Sequence, residues 1–211
     1  MEILSPIFKG LMQLTGVLSI GLLLTLSFLD SDVKGGITNI KLVKKTKVFL
    51  LAWLLATFAF ILIQISYLLQ QPLASSFDQT VIRSYLTQTA IGKSYIVQII
   101  GIIILLSIAL RRVITTYLCL LIGLIAIVAP VFQSHGSSSG RHGLAIGALV
   151  IHVIALSFWV GGLFGLTQLN KEQKLIALPR FSELALWSAI TVVITGAATA
   201  WTRLDSIEAW Q

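Results

Sequence analysis

The sequence contains three histidines, and all of them lie in one short region. His135 and His142 flank a Gly/Ser-rich stretch, and His152 lies within the apolar run that follows. Neutral imidazole is a good ligand for transition metals, and burial keeps an imidazole neutral because it disfavours the charged form. The cluster therefore indicates metal binding. The alternative is that His135 and His142 are solvated loop residues and that His152 hydrogen-bonds a neighbouring helix.

The spacing of the histidines indicates more than one binding position. His142 and His152 would lie about 15 Å apart on one straight helix, so they cannot share an ion but can act as successive sites. His135 and His142 are joined by the flexible stretch Gly136–Gly140, so these two can share an ion.

Other reactive side chains are scarce. The eight acidic residues all fall in connections, tails or the ends of apolar runs, which excludes carboxylate proton relays and paired-carboxylate hydrolysis. Neither a phosphate-binding loop nor an HExxH motif is present, so we predict that the protein is not an enzyme. Cys119 is the only cysteine, and Met12 is a possible accessory sulfur ligand for a soft metal.

Composition places these residues in a membrane protein. The chain has 211 residues, of which 56% are apolar and 11% are charged. Soluble domains carry about 25% charged residues, so this chain must expose much of its surface to a lipid bilayer. The net charge of +7 is interpreted as loop charge that sets orientation, and nucleic acid is excluded as a partner.

Six apolar runs are long enough to cross a bilayer as helices, which needs roughly 20 residues each. Only helices fit, because the runs lack the alternation of barrel strands. The predicted fold class is an all-α polytopic membrane helix bundle, a single transmembrane domain over residues 1–211. The predicted spans are Leu11 to Leu29, Val48 to Leu69, Ser94 to Leu110, Val113 to Phe132, Gly143 to Leu169 and Leu184 to Thr202.

Basic residues alternate between the connections, which predicts the orientation. One set of connections holds ten of them and the other holds five, so both termini are predicted to lie outside. The richer set is Lys34, Lys41, Lys44, Lys45, Lys47, Arg111, Arg112, Lys171, Lys174 and Arg180; the poorer set is Lys9, Arg83, Lys93, Arg141 and Arg203.

The longest outer connection contains a short amphipathic segment. Ser76 and Gln79 have the spacing of a capping box, and apolar residues follow with helical spacing. We predict an interfacial helix over residues 76–88; the alternative is a disordered loop.

Small residues and hydroxyls form stripes on spans five and six. One face of span five consists of small residues and is predicted to pack on a neighbouring helix, because Gly161 and Gly165 have GxxxG spacing. The face consists of Gly143, Gly147, Ser157, Gly161 and Gly165, and Gly162 is a further predicted packing residue. On span six, one row of hydroxyls can line a polar path, or each hydroxyl can bond back to its own helix. The row consists of Ser188, Thr191, Thr195 and Thr199.

The segment over about residues 130–203 resembles the copper resistance protein D (CopD/PcoD-like) family. The shared features are the His-bearing loop, the pattern H-x-x-A-x-x-x-W-x-G-G-L from His152, the pattern R-F-S-x-L-A from Arg180, and Thr195-Gly196. Members of this family usually continue beyond the position of Trp201, so the resemblance implies a shortened member or an N-terminal part.

The resemblance implies copper transport in a bacterial cytoplasmic membrane, with a periplasmic copper-binding protein as a possible partner. It carries over His135, His142 and His152 as copper ligands and Trp159 as a motif residue. Two alternatives stay open. One is a copper-delivery factor for cytochrome oxidase assembly, and the other is a b-type haem-binding electron carrier, which needs two histidines at one depth.

Overall fold

A computed structural model describes residues 4–29, 39–108, 110, 113–133 and 142–208. Within these ranges the chain is helical and contains no strand. The α-helices are Leu4–Leu24, Ile40–Leu69, Gln79–Gln88, Ala90–Ser107, Val113–Val128, His142–Leu156, Gly162–Thr167 and Lys171–Glu208. Short π-helical turns occupy Thr25–Leu29 and Ser157–Gly161, and 3-10 turns occupy Leu73–Phe77 and Ala129–Gln133.

Six of the described helical segments are long and apolar enough to cross a membrane, so the predicted all-α fold and the number of spans are confirmed. Spans one, two, three and six begin earlier than predicted, because their first turns carry lysines and other polar residues that the apolar runs left out. Long basic side chains can extend toward the interface while their backbone stays helical. The spans are Leu4–Leu29, Ile40–Leu69, Ala90–Ser107, Thr115–Phe132, Ile146–Thr167 and Lys171–Trp201.

Span one forms the centre of the bundle. Over its most apolar 18 residues, 67% of the residues are buried, whereas only 11% are buried over the corresponding 18 residues of span six. Span one packs against spans two, four and five, and span six packs mainly against span five. Span five therefore lies between the central helix and the most peripheral one.

Spans one and five meet backbone to backbone, because glycines lie on both sides of the contact. A Cβ atom at Gly161 would overlap the carbonyl oxygen of Val17, and one at Gly21 would overlap the backbone of Gly161. A Cβ at Gly165 would overlap the hydroxyl of Thr25. The GxxxG pair thus faces span one, with no room for larger side chains.

The small-residue face of span five is used only along its second half. Among the described residues, no atom outside the adjoining turns of the helix lies within 4 Å of a Cβ built at Gly143 or Gly147. At Gly162, by contrast, a Cβ would lie 2.7 Å from the Phe181 ring of span six and 3.2 Å from Leu24 of span one. The second half of span five is therefore fixed on both sides, while its first half is more loosely packed.

A ten-residue helix, Gln79–Gln88, lies inside the segment predicted as an interfacial helix. The predicted capping box is wrong, because the N-cap is Asp78, whose carboxylate accepts a hydrogen bond from the Thr80 amide. Ser76 instead belongs to the preceding 3-10 turn, and its buried hydroxyl has no partner among the described residues. The proline at position 72 starts that turn and shifts the first α-helical turn downstream.

The contact between spans one and five predicts a position-specific cost of adding a methyl group. We expect Gly161→Ala to lower the free energy of unfolding by about 1–3 kcal/mol, because the methyl group must displace backbone atoms. Gly147→Ala on the same span is the matched control and should be neutral or slightly stabilising, since Ala is the better helix former. Reversible unfolding in mixed micelles measures both. Equal effects of the two substitutions would contradict the proposed packing.

Candidate functional site

The three histidines differ in how far the structure describes them. His135 lies outside the described residues. His142 begins the helix His142–Leu156, and its side chain is likewise outside the description. His152 is described in full, ten residues further along this helix. Among the described residues, no group of three or more His, Cys, Asp or Glu side chains is arranged to hold a metal ion.

His152 faces span six, where it meets one of the predicted hydroxyls. Its Nδ1 atom lies 3.0 Å from the Thr195 hydroxyl oxygen. The same edge of the ring faces Gly196. A Cβ atom added to this glycine would lie 3.6 Å from Cε1 and 3.9 Å from Nδ1 of His152. The imidazole is partly buried and has a polar partner, so it is not left unpaired in hydrocarbon.

The direction of this hydrogen bond follows from the other contacts of Thr195. Its hydroxyl oxygen lies 2.6 Å from the carbonyl oxygen of Thr191 and 3.3 Å from that of Val192. A hydroxyl has one proton, and the short distance assigns that proton to the Thr191 carbonyl. Thr195 therefore accepts a hydrogen bond from His152 Nδ1–H. In the neutral ring this leaves the lone pair on Nε2, which is the atom available to a metal ion.

The other hydroxyls of span six bond mainly to their own helix. Thr191 donates to the Trp187 carbonyl and Thr199 donates to the Thr195 carbonyl, each at 2.8 Å. Ser188 is buried, with 6% of its surface exposed. These contacts match the second interpretation of the row, in which each hydroxyl satisfies a backbone carbonyl. Thr195 differs from them because its oxygen also receives the bond from His152.

The sequence motifs of spans five and six meet each other in space. His152 contacts the Thr195-Gly196 pair, and Gly162 receives the Phe181 ring. Trp159 lies in the π-helical turn Ser157–Gly161 and is 38% exposed, so its indole faces the bundle surface. A π-helical turn adds a residue to the helix and rotates the side chains within and beyond it, which a regular helical projection does not anticipate.

Met12 lies in a different environment from His152. It is 2% exposed and lines a cavity of about 650 Å³, at the end of the bundle where span one begins. We call this end the predicted outer end. Val153 also lines the cavity, but His152 does not. Successive side chains on a helix differ in direction by about 100°, so a helix that presents Val153 to the cavity turns His152 toward span six.

Sequence reasoning missed the polar wall of this cavity. It includes Gln13, Gln64 and Tyr85. The Ser5 hydroxyl of span one donates a hydrogen bond to Gln64 Oε1 of span two at 3.0 Å. Neither glutamine is ionisable, and neither is among the predicted site residues. Carboxamides inside apolar runs are also unfavourable in lipid unless they are paired, so Gln13 and Gln64 were a usable signal.

The geometry at Thr195 predicts the tautomer of His152. In the neutral form of the ring, nitrogen-15 NMR should show the proton on Nδ1. Thr195→Val removes the acceptor and should shift the population toward the Nε2–H form, whereas Thr191→Val removes a neighbouring hydroxyl that donates to another carbonyl and should have no effect. His152→Ala assigns the signals. An Nε2–H ring in the unmodified protein would contradict the assigned bond direction.

Comparison with known proteins adds the family. Residues 2–145 match the family described as copper resistance protein D-like, N-terminal domain. The match overlaps the 130–203 segment, on which the resemblance rests, only at its start. No curated protein and no solved structure matches the chain. Because the matched region covers more than half of the 211 residues, the chain belongs to the copper resistance protein D-like family.

Proposed function

We propose that this protein moves copper ions across a bacterial cytoplasmic membrane, with copper as its transported substrate and no covalent chemistry. The observation that carries this proposal is the match to the copper resistance family over residues 2–145. The six membrane-spanning helices are consistent with a transport role, because an ion can cross hydrocarbon only along a protein path.

In this proposal His152 is the ligand within the membrane. The support is its partly buried ring, its Nδ1–H bond to Thr195 and the lone pair that this bond leaves on Nε2. A hydrogen bond to the second ring nitrogen fixes the orientation and tautomer of a ligand histidine, as outer partners do in known metal sites. Thr195 then acts as a positioning residue for His152.

His135 and His142 are proposed to capture copper at the outer surface, with both termini of the chain on that side. A periplasmic copper-binding protein would supply the ion there. Met12 is proposed as an accessory thioether ligand, because Cu(I) favours sulfur. Several weak sites in series suit transport better than one tight site, which would trap the ion.

Copper uptake by cells tests this proposal. Cells that express the chain should accumulate more copper than cells without it, and His152→Ala should reduce the gain about tenfold or more, because the central ligand is lost. Thr195→Val should reduce the gain less than His152→Ala does, because Thr195 only orients the ligand ring. Thr191→Val is the matched control. Identical copper accumulation in all strains would contradict transport.

The same strains separate transport from the alternatives. A delivery factor would change cytochrome oxidase activity while total cell copper stays constant. A haem carrier would give a Soret absorption band in the purified protein, with loss of the band in His152→Ala. Either result would replace copper transport as the proposed function.

Metal analysis of the purified protein tests the ligand assignment. The protein should retain copper after purification, and the combined His135→Ala, His142→Ala and His152→Ala variant should lose most of it. Full copper retention by the triple variant would show that other residues are the ligands.

A further inference from the structure

The cavity beside Met12 is large enough to hold a small organic molecule. Its volume is about 650 Å³, within the range of about 300–1,000 Å³ that is typical of ligand pockets. It lies among spans one to five at the predicted outer end, with the helix Gln79–Gln88 contributing Tyr85. Ser5 and Lys9, from the first turns of span one, stand at its wall.

The polar groups of this cavity are mainly hydrogen-bond donors. Lys9 supplies an exposed ammonium group. Gln64 Oε1 already accepts a hydrogen bond from the Ser5 hydroxyl, so the Gln64 NH₂ group is the part of this side chain that can donate to a ligand. None of the described residues that line the cavity is Asp, Glu, His or Cys. Such a wall matches a ligand that carries acceptor oxygens and negative charge.

Tyr85 provides the sharpest indication of a ligand. The residue is 8% exposed, and its buried hydroxyl has no hydrogen-bond partner among the described residues. Burial raises the pKa of Tyr85 to about 12, so the hydroxyl keeps its proton at physiological pH and remains a donor. A buried donor without a partner is unfavourable, and a bound acceptor would remove this cost.

The rest of the wall is apolar and aromatic. The Phe60 and Tyr95 rings pack edge to face with their centroids 5.8 Å apart, and Leu149 and Val153 of span five close the opposite side. A ligand that fills the cavity therefore needs an apolar body next to its charged group.

We propose that this cavity binds a small organic oxyanion, with its carboxylate held between Lys9 and the Tyr85 hydroxyl and its apolar body against Phe60 and Tyr95. A phospholipid headgroup offers the same oxyanion chemistry through its phosphate. His152 does not line this cavity, whereas the proposed accessory ligand Met12 does. The proposal rests on the cavity and on Tyr85, so oxyanion binding can be present whether or not the protein transports copper.

Calorimetric titration of the full chain in maltoside micelles, whose headgroups carry no oxyanion, tests this proposal. Phenylacetate is the probe, and phenylacetamide is its neutral counterpart. We expect phenylacetate to bind, and phenylacetamide to bind at least tenfold more weakly. Tyr85→Phe and Lys9→Gln should each weaken phenylacetate binding about tenfold, because a hydrogen bond or charge contact to the carboxylate is lost. Short-chain phosphatidylglycerol serves as the lipid probe.

The controls separate loss of binding from loss of folding. Tyr85→Phe removes a hydroxyl without a protein partner, so the unliganded protein should be as stable as before or more stable. Tyr67→Phe, at an exposed tyrosine of span two, should leave binding unchanged. Phosphatidylglycerol that displaces phenylacetate from the unmodified protein but does not bind Tyr85→Phe would support the site. It would also identify a lipid headgroup as the source of the bound oxyanion. Phenylacetate binding that is as tight in Tyr85→Phe and in Lys9→Gln as in the unmodified protein, or no Tyr85-dependent binding of either probe, would overturn the proposal.

Discussion

The backbone contact between Gly21 and Gly161 is the constraint on which the arrangement of this bundle depends. Helices in lipid gain little from the hydrophobic effect when they associate, so close approach through small residues must supply the packing. This contact places span five directly on the most buried helix, span one. The opposite side of span five is then free to receive span six, and this is where His152 finds its partner.

Polar groups within the spans are paired largely inside their own helices. Thr25, Thr57 and Ser157 each donate to the carbonyl four residues earlier, as do the threonines of span six. Two of the contacts between spans use such a hydroxyl again, namely the Gln98 amide on Thr57 at 2.8 Å and His152 on Thr195. In both, a hydroxyl that has already donated to its backbone becomes the acceptor for a second helix. A local bond thus orients the oxygen that a distant side chain uses.

Sequence predicted the fold well, because hydrocarbon admits only long helices with satisfied backbones. It predicted the starts of the spans less well, since the first turns of spans two and six carry Lys41 and Lys171 that an apolar count excludes. It placed His152 and Thr195 on separate helices but could not pair them, because their contact depends on how span five turns on span one. The tyrosine at position 85 gave no signal, since its unpartnered hydroxyl follows only from three-dimensional packing.

Span five presents two different surfaces within one turn, with Val153 toward the cavity and His152 toward span six. Gly161 and Gly165 fix the half of this helix beyond these residues, where added atoms would overlap span one. The half before them includes Gly147 in open space, and residues 146–150 are all only partly buried. Rotation of span five therefore meets less steric resistance in this first half.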